Sequence, residues 1–244
     1  MKKFQSTNQT NAQTPAYERE EHRSHRAPWL RAAILGVNDG IVSTSSIMLG
    51  FAATNTSKAT ILTAGFASLA AGAMSMAAGE YVSVSSQRDS EQADLDIEAR
   101  ELETFADEEL EELKQIYISR GLEPALAGEV AKQLHAHDAL AAHARDELGI
   151  DNEELANPLQ ASIASASCFA GGSLIPIAAA LVLTGYAAVV GVVVVSLLAL
   201  LVSGAIGARV GGGKKRIAAF RVLLGGGLAM LITYFVGRLV GTAL

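Results

Sequence analysis

The sequence predicts an all-α integral membrane protein, with five transmembrane helices and a three-helix acidic domain inserted between spans two and three. Three observations predict it. Half of the 244 residues are hydrophobic but only 5% are aromatic, a bias toward small side chains that suits closely packed membrane helices. Five stretches stay apolar for about 20 residues, enough to cross a bilayer. Charge is segregated: 20 of the 25 carboxylates, but only 6 of the 19 Lys and Arg, lie between residues 88 and 154, so that segment is near -14 while the rest of the chain is basic. This split fits neither nucleic-acid binding nor a uniformly acidic protein. Period-2 alternation is missing, which argues against a membrane β-barrel.

In chain order, residues 1–28 read as a disordered polar arm. It has no apolar core, so it is not a cleavable secretory signal, and it turns basic at Arg19, Arg23 and Arg26. Pro28 suits a helix start and Trp29 a membrane interface. The spans are expected at 32–53 and 60–82, within a first membrane unit of residues 29–87, and at 161–183, 186–208 and 217–240, within a second unit of residues 159–244. Lys and Arg in short loops set orientation. The arm before the first span and the loop after the fourth (Arg209, Lys214, Lys215, Arg216) are basic, the first-to-second loop has only Lys58, and the third-to-fourth loop has none. The N-terminus and the acidic segment are therefore expected in the cytosol. The lone Cys168 excludes an intrachain disulfide and a cysteine metal cluster.

The acidic domain is expected over residues 88–158. No Gly or Pro interrupts residues 81–120, so the second span should run on as one helix to about Thr104. A second helix should cover 107–119, with Leu110, Leu113 and Tyr117 inward. A third should start near Pro124 and stop at Gly149.

Two groups of residues could carry chemistry. In the spans, Asn38 and Asp39 sit inside Gly36-Val-Asn-Asp-Gly40. A carboxylate at that depth is costly and marks an ion path or a proton relay, unless the span really starts at Ile41 and the charge is interfacial. Met76 and Glu80 are four apart on the second span and share a face. Carboxylates with a thioether suit a borderline first-row ion better than Mg²⁺ or Ca²⁺. A buried carboxylate without a cation holds a proton, so the same groups could couple metal to proton counter-movement. In the acidic domain, Glu98 with Glu101, Glu109 with Glu112, and His143 with Glu147 are helical pairs able to reach one ion; the alternative is a solvated acidic face. His135 and His137 fall on different faces and receive no role.

At these residues the sequence resembles the vacuolar iron transporter family, from about residue 23 to the C-terminus. The resemblance rests on Gly36-Val-Asn-Asp-Gly-Ile-Val-Ser43, on Met74-Ser-Met-Ala-Ala-Gly-Glu-Tyr-Val-Ser83 with Ser86-Gln87, on Asp146-Glu-Leu-Gly149 and on Tyr234-Phe-Val-Gly237. It implies a homodimer in the lipid bilayer that moves Fe²⁺ out of the cytosol along the dimer interface in exchange for H⁺. Mn²⁺, Co²⁺ and Zn²⁺ are candidate further substrates, and no prosthetic group is expected. Asp39 and Met76 match pathway positions. Glu98, Glu101, Glu109, Glu112 and Glu147 match a cytosolic metal-collecting domain. His143 stands where plant-type members have Met, which would widen selectivity toward zinc or manganese. The His-rich third helix is similar to the prokaryotic branch and implies the plasma (inner) membrane; a eukaryotic source would imply the vacuolar one. Two other classes remain beside a transporter that is not an enzyme. One is a membrane-anchored metal sensor or scaffold. The other is a di-iron oxidase, disfavoured because no Glu-x-x-His pair occurs.

Overall fold

The computed structural model describes residues 27–150 and 156–243, with side chains from residue 33 onward. Residues 1–26 of the expected arm, with Arg19, Arg23 and Arg26, lie outside the described residues, as does the side chain of Trp29, while Ala27 and Pro28 belong to the first helix rather than to the arm. Seven α-helices follow in order: α1 (Ala27–Ala52), α2 (Lys58–Thr104), α3 (Ala106–Ser119), α4 (Pro124–His143), α5 (Pro158–Val182), α6 (Gly185–Gly211) and α7 (Lys215–Ala243). A π-helical turn, Ala144–Leu148, continues α4. Among the described residues there is no strand. Helices α1, α2, α5, α6 and α7 are each long and apolar enough to cross a membrane, so the five expected spans are all present.

Helix α1 packs against each of the other four spanning helices. The core between them is Ile41, Met48, Leu49, Ile177, Ala180, Val192, Leu200 and Met230. Lipid tails are as apolar as these side chains, so close backbone approach and buried polar contacts must supply much of the adhesion. Both are present. A Cβ on Gly40 would collide with the Phe169 carbonyl, and one on Gly172 with the Val37 carbonyl, so α1 and α5 meet backbone to backbone. Beside that crossing, the Thr44 hydroxyl donates to Ser173 Oγ (2.9 Å) and lies 3.3 Å from Ser68 Oγ, while Ser173 donates to the Gly40 carbonyl (3.2 Å). This chain of hydroxyls joins α1, α2 and α5 where water is excluded. Gly237 meets Gly50 in the same way and ties α7 to α1. Lys58 donates to the carbonyls of Leu181 and Leu183 (2.8 Å each), neutralising the C-terminal end of α5.

The uninterrupted sequence after the second span does form one helix. At 1.5 Å per residue the 47 residues of α2 extend about 70 Å, against a hydrocarbon core of about 30 Å. Its C-terminal half therefore projects far beyond the bilayer. Phe105 breaks the helix with a non-helical backbone (φ -131°, ψ 40°), and α3 turns back from it. Leu113, Ala131 and Ala142 form a small separate core with Leu110, Tyr117 and Leu134 around it.

Three local features shape these helices. The third helix of the insert is not uniform: Asp138 is extended inside it (φ -161°, ψ 98°), and its last turn is π-helical. Helix α6 runs through Gly211, and the chain leaves it at Gly212 with a positive φ of 77°. Pro176 is buried inside α5, which runs from Pro158 to Val182 as one helix.

Candidate metal centre

Four side chains from four successive elements converge beyond the membrane-spanning bundle. Glu98 comes from the projecting half of α2, Glu109 from the first turn of α3, His143 from the end of α4 and Glu147 from the π turn. Each offers one ligand atom, and these atoms lie within 4.8 Å of one another. Local structure explains the gathering. Leu95 and Glu98 are three apart on α2 and both are buried, so the apolar stripe of that helix carries the carboxylate inward. Glu109 lies in the N-terminal turn of α3, where a negative charge is favoured by the helix dipole. The alanines at 127, 131, 142 and 144 are buried and let α4 approach closely enough to bring His143 in.

His143 is fully buried, and Glu98 and Glu109 are only 3% and 8% exposed. Its Nδ1 lies 3.0 Å from Glu147 Oε2, 2.9 Å from Glu98 Oε1 and 3.8 Å from Glu109 Oε2. Only the Glu147 contact has hydrogen-bond geometry; Glu98 Oε1 is buried with no hydrogen-bond partner. Three carboxylates facing one imidazole leave negative charge that the protein does not balance. Burial first, then the Glu147 carboxylate, pushes the Glu98 carboxyl up to about 7; His143 pulls it down, and Glu109 and Glu101 raise it further. Burial and then Glu112 raise the Glu109 carboxyl as well. Glu101 and Glu112 are themselves exposed. The structure thus separates the six expected ligands into four that meet and two that border them and act through their charge.

A second polar cluster fixes the π turn to α3. Asp146 accepts from the Tyr117 hydroxyl (2.6 Å), from Arg120 (2.6 Å) and from Arg145 (2.8 Å), while Arg120 also donates to the Asp146 carbonyl (2.7 Å). Burial alone would raise the Asp146 carboxyl, but the hydrogen bonds from Arg145, Tyr117 and Arg120 outweigh it and hold the group well below the usual carboxylate range. This cluster sets the position of Glu147, the next residue, relative to Glu109. Gly149 then ends the turn with φ +69°, a conformation that suits glycine.

In the spans, α1 is helical without a break through Asn38 and Asp39. Asp39 is exposed on the outside of its own bundle, while Met76 and Glu80 are half-buried on α2. Asn38 occupies a different space. It lines a cavity of about 650 Å³ with Gly204, Gly207 and Arg221 of α6 and α7, and its Oδ1 is buried without a partner. The sequence reading missed what Gly36 and Gly40 do. Their four-residue spacing is a small-xxx-small pattern, and a Cβ on either would press against α5. The signal was legible beside Asp39, which drew attention first.

Comparison with known proteins agrees with this architecture. Residues 30–238 match the model of the VIT family. The chain is 45% identical over 228 residues to a protein of Acanthamoeba castellanii named vacuolar iron transporter, covering 92% of this chain and 84% of that protein. It is 39% identical over 218 residues to vacuolar iron transporter homolog 2 of Oryza sativa subsp. japonica, covering 89% of this chain and 93% of that one. With homolog 2 of Arabidopsis thaliana it shares 34% over 219 residues, covering 89% and 87%. A family match over most of the chain, on the five-helix frame that carries both expected motifs, establishes that the chain belongs to the VIT family.

Proposed function

We propose that this chain is a membrane transporter, not an enzyme, that carries divalent transition-metal ions, chiefly Fe²⁺ and also Mn²⁺, Co²⁺ or Zn²⁺, out of the cytosol in exchange for protons. Its membrane units are residues 29–87 and 159–244, and residues 88–158 form a cytosolic acidic domain that collects the ion. The observation that carries the proposal is the meeting of Glu98, Glu109, His143 and Glu147 around a buried carboxylate oxygen without a partner. A cation about 2.0–2.2 Å from each donor would satisfy that oxygen and balance the charge. Carboxylate oxygens with one imidazole nitrogen suit Fe²⁺, Mn²⁺, Co²⁺ and Zn²⁺. The names of the relatives, vacuolar iron transporter and its homologs, favour iron.

The path through the membrane is assigned to Asp39, Met76 and Glu80, with Asn38, the neighbour of Asp39 in sequence, facing the α6–α7 side of α1. Asp39 is exposed on a spanning helix, and a charge against lipid is costly. Of the 47 residues of α2, only Gly65, Ser68, Leu95 and Glu98 are buried within one chain. A second copy placed over this face would cover Asp39 and give the ion a polar route between protomers. Loop charge favours a cytosolic N-terminus; the similarity of the His-rich third helix to the prokaryotic branch favours the plasma or inner membrane, and a eukaryotic source would favour the vacuolar one. A sensor or scaffold could also hold the ion at the acidic domain, but it would have no use for Asp39 in a span.

The test is Fe²⁺ flux into proteoliposomes holding the purified protein, with and without an opposing proton gradient. Flux that rises with the gradient and disappears in Asp39→Ala supports proton-coupled transport. Absent flux, with the ion still bound tightly by the full chain, turns the assignment to a sensor or scaffold.

A further inference from the structure

Helix α4 is broken at Asp138, whose extended backbone (φ -161°, ψ 98°) interrupts it. The Asp138 Oδ1 accepts from the Ala141 amide (3.0 Å) and caps the second half of the helix. In an unbroken helix, residues eight apart are separated by about 12 Å along the axis. The break brings the His135 ring to 6.3 Å from the His143 ring, centroid to centroid, edge-on at 78°. Each ring has one buried nitrogen without a hydrogen-bond partner, His135 Nδ1 and His143 Nε2.

These two nitrogens are complementary once an ion is considered. A neutral imidazole carries one N–H. His143 Nδ1 faces the three carboxylates; with no ion, an ionised Glu147 can only accept across this contact, which places a hydrogen on Nδ1. It cannot hold that hydrogen and bind a cation at once. With Nδ1 on the ion, the ring hydrogen sits on Nε2, a buried donor that needs an acceptor. His135 Nδ1 is a buried acceptor in want of a donor; with the ring centroids 6.3 Å apart the rings must move together as well as turn for the two nitrogens to reach hydrogen-bond distance. Metal-ligating histidines commonly donate their second N–H to a partner that fixes tautomer and ring orientation.

We propose, taking the four-residue cluster as an ion site, that His135 is a positioning residue: its Nδ1 accepts the Nε2–H of ion-bound His143 and so selects the tautomer that presents Nδ1 to the ion. The ion itself touches Glu98, Glu109, His143 and Glu147, and His135 acts through His143 alone. Selection of the tautomer should strengthen binding of ions that favour imidazole, such as Zn²⁺ and Co²⁺, more than Mn²⁺.

The experiment uses the full-length chain in detergent, titrated with Co²⁺ and with Zn²⁺. His135→Leu removes the acceptor at similar bulk, and His135→Gln keeps one in its side-chain oxygen. The expected result is an affinity loss of about 10- to 100-fold for His135→Leu, with most of it restored in His135→Gln. Nitrogen-15 spectra of the Zn²⁺-loaded protein should show His143 protonated at Nε2. Unchanged affinity in His135→Leu, equal losses in both variants, or a Zn²⁺-loaded His143 protonated at Nδ1 would each overturn the role of His135. His143→Leu separates this from the cluster itself: if that variant binds Co²⁺ as the wild type does, the ion site is misplaced.

Discussion

Replacing Glu98 with glutamine should have opposite effects on the metal-free and the metal-bound protein. Glu98 is 3% exposed, and its carboxyl is raised from the ordinary 4.5 to about 7, by burial and by Glu147 before other causes. A carboxyl raised in the folded protein costs stability when it ionises. That cost is absent below pH 4.5, grows between 4.5 and about 7, and is complete above it. At about 1.4 kcal/mol per unit, the full cost is roughly 3 kcal/mol. Glutamine keeps the shape and removes the charge. Glu98→Gln should therefore stabilise the metal-free acidic domain at pH 8 by up to roughly 3 kcal/mol and leave it unchanged at pH 4. With Zn²⁺ at 100 times its dissociation constant the wild type gains about 2.7 kcal/mol, and the variant should gain much less. Hydrogen exchange at the amides of α3 and α4 in the full chain, with and without Zn²⁺, measures both quantities locally. The reasoning fails if Glu98→Gln loosens these helices in the metal-free protein at pH 8, or if Zn²⁺ protects variant and wild type equally.

Three further outcomes are expected. Zn²⁺ affinity of the full chain should rise with pH up to about 7 and then level off, because below that value the ion competes with the proton on Glu98; calorimetric titration at pH 5, 6, 7 and 8 should show a shallower rise in Glu98→Gln, and profiles of equal slope in variant and wild type would mean that Glu98 is not a ligand. Asp146→Asn should cost about 1 kcal/mol in the α3 and π-turn region at pH 7, at the low end for hydrogen bonds to a charged group because Arg120 and Arg145 are exposed. Since this carboxyl is depressed, the wild-type advantage should fade only as the pH drops below the usual carboxylate range, and exchange rates that match at pH 7 would remove Asp146 as a clamp. Gly237→Val should press a branched side chain into the Gly50 backbone and destabilise the α1–α7 contact by about 1–3 kcal/mol, read as a lower melting temperature in detergent; an unchanged melt would mean the helices can separate there without cost.

The helical class and the five spans were legible in the sequence because a bilayer demands long apolar helices whatever their packing. The long α2 was legible too, since an unbroken run without Gly or Pro leaves a helix no reason to stop before Phe105. So were the i,i+3 and i,i+4 pairs of candidate ligands, because helical periodicity alone places Glu98 beside Glu101 and His143 beside Glu147. Only the tertiary structure decided which members of those pairs face one another. Glu98 and Glu109 turn inward because Leu95 and Leu113 share their faces and are buried, Leu113 against Ala131 and Ala142 of α4, whereas Glu101 and Glu112 remain outside. Periodicity could not bring His135 to His143, since the extended Asp138 resets the register between them. Nor could it say that Asp39 emerges on the outer face of α1 while Gly36 and Gly40 press against α5. Local sequence sets which element forms and which residues share a face; the neighbours of that face come from contacts far apart in the chain, and these determine where charge is buried and an ion could be held.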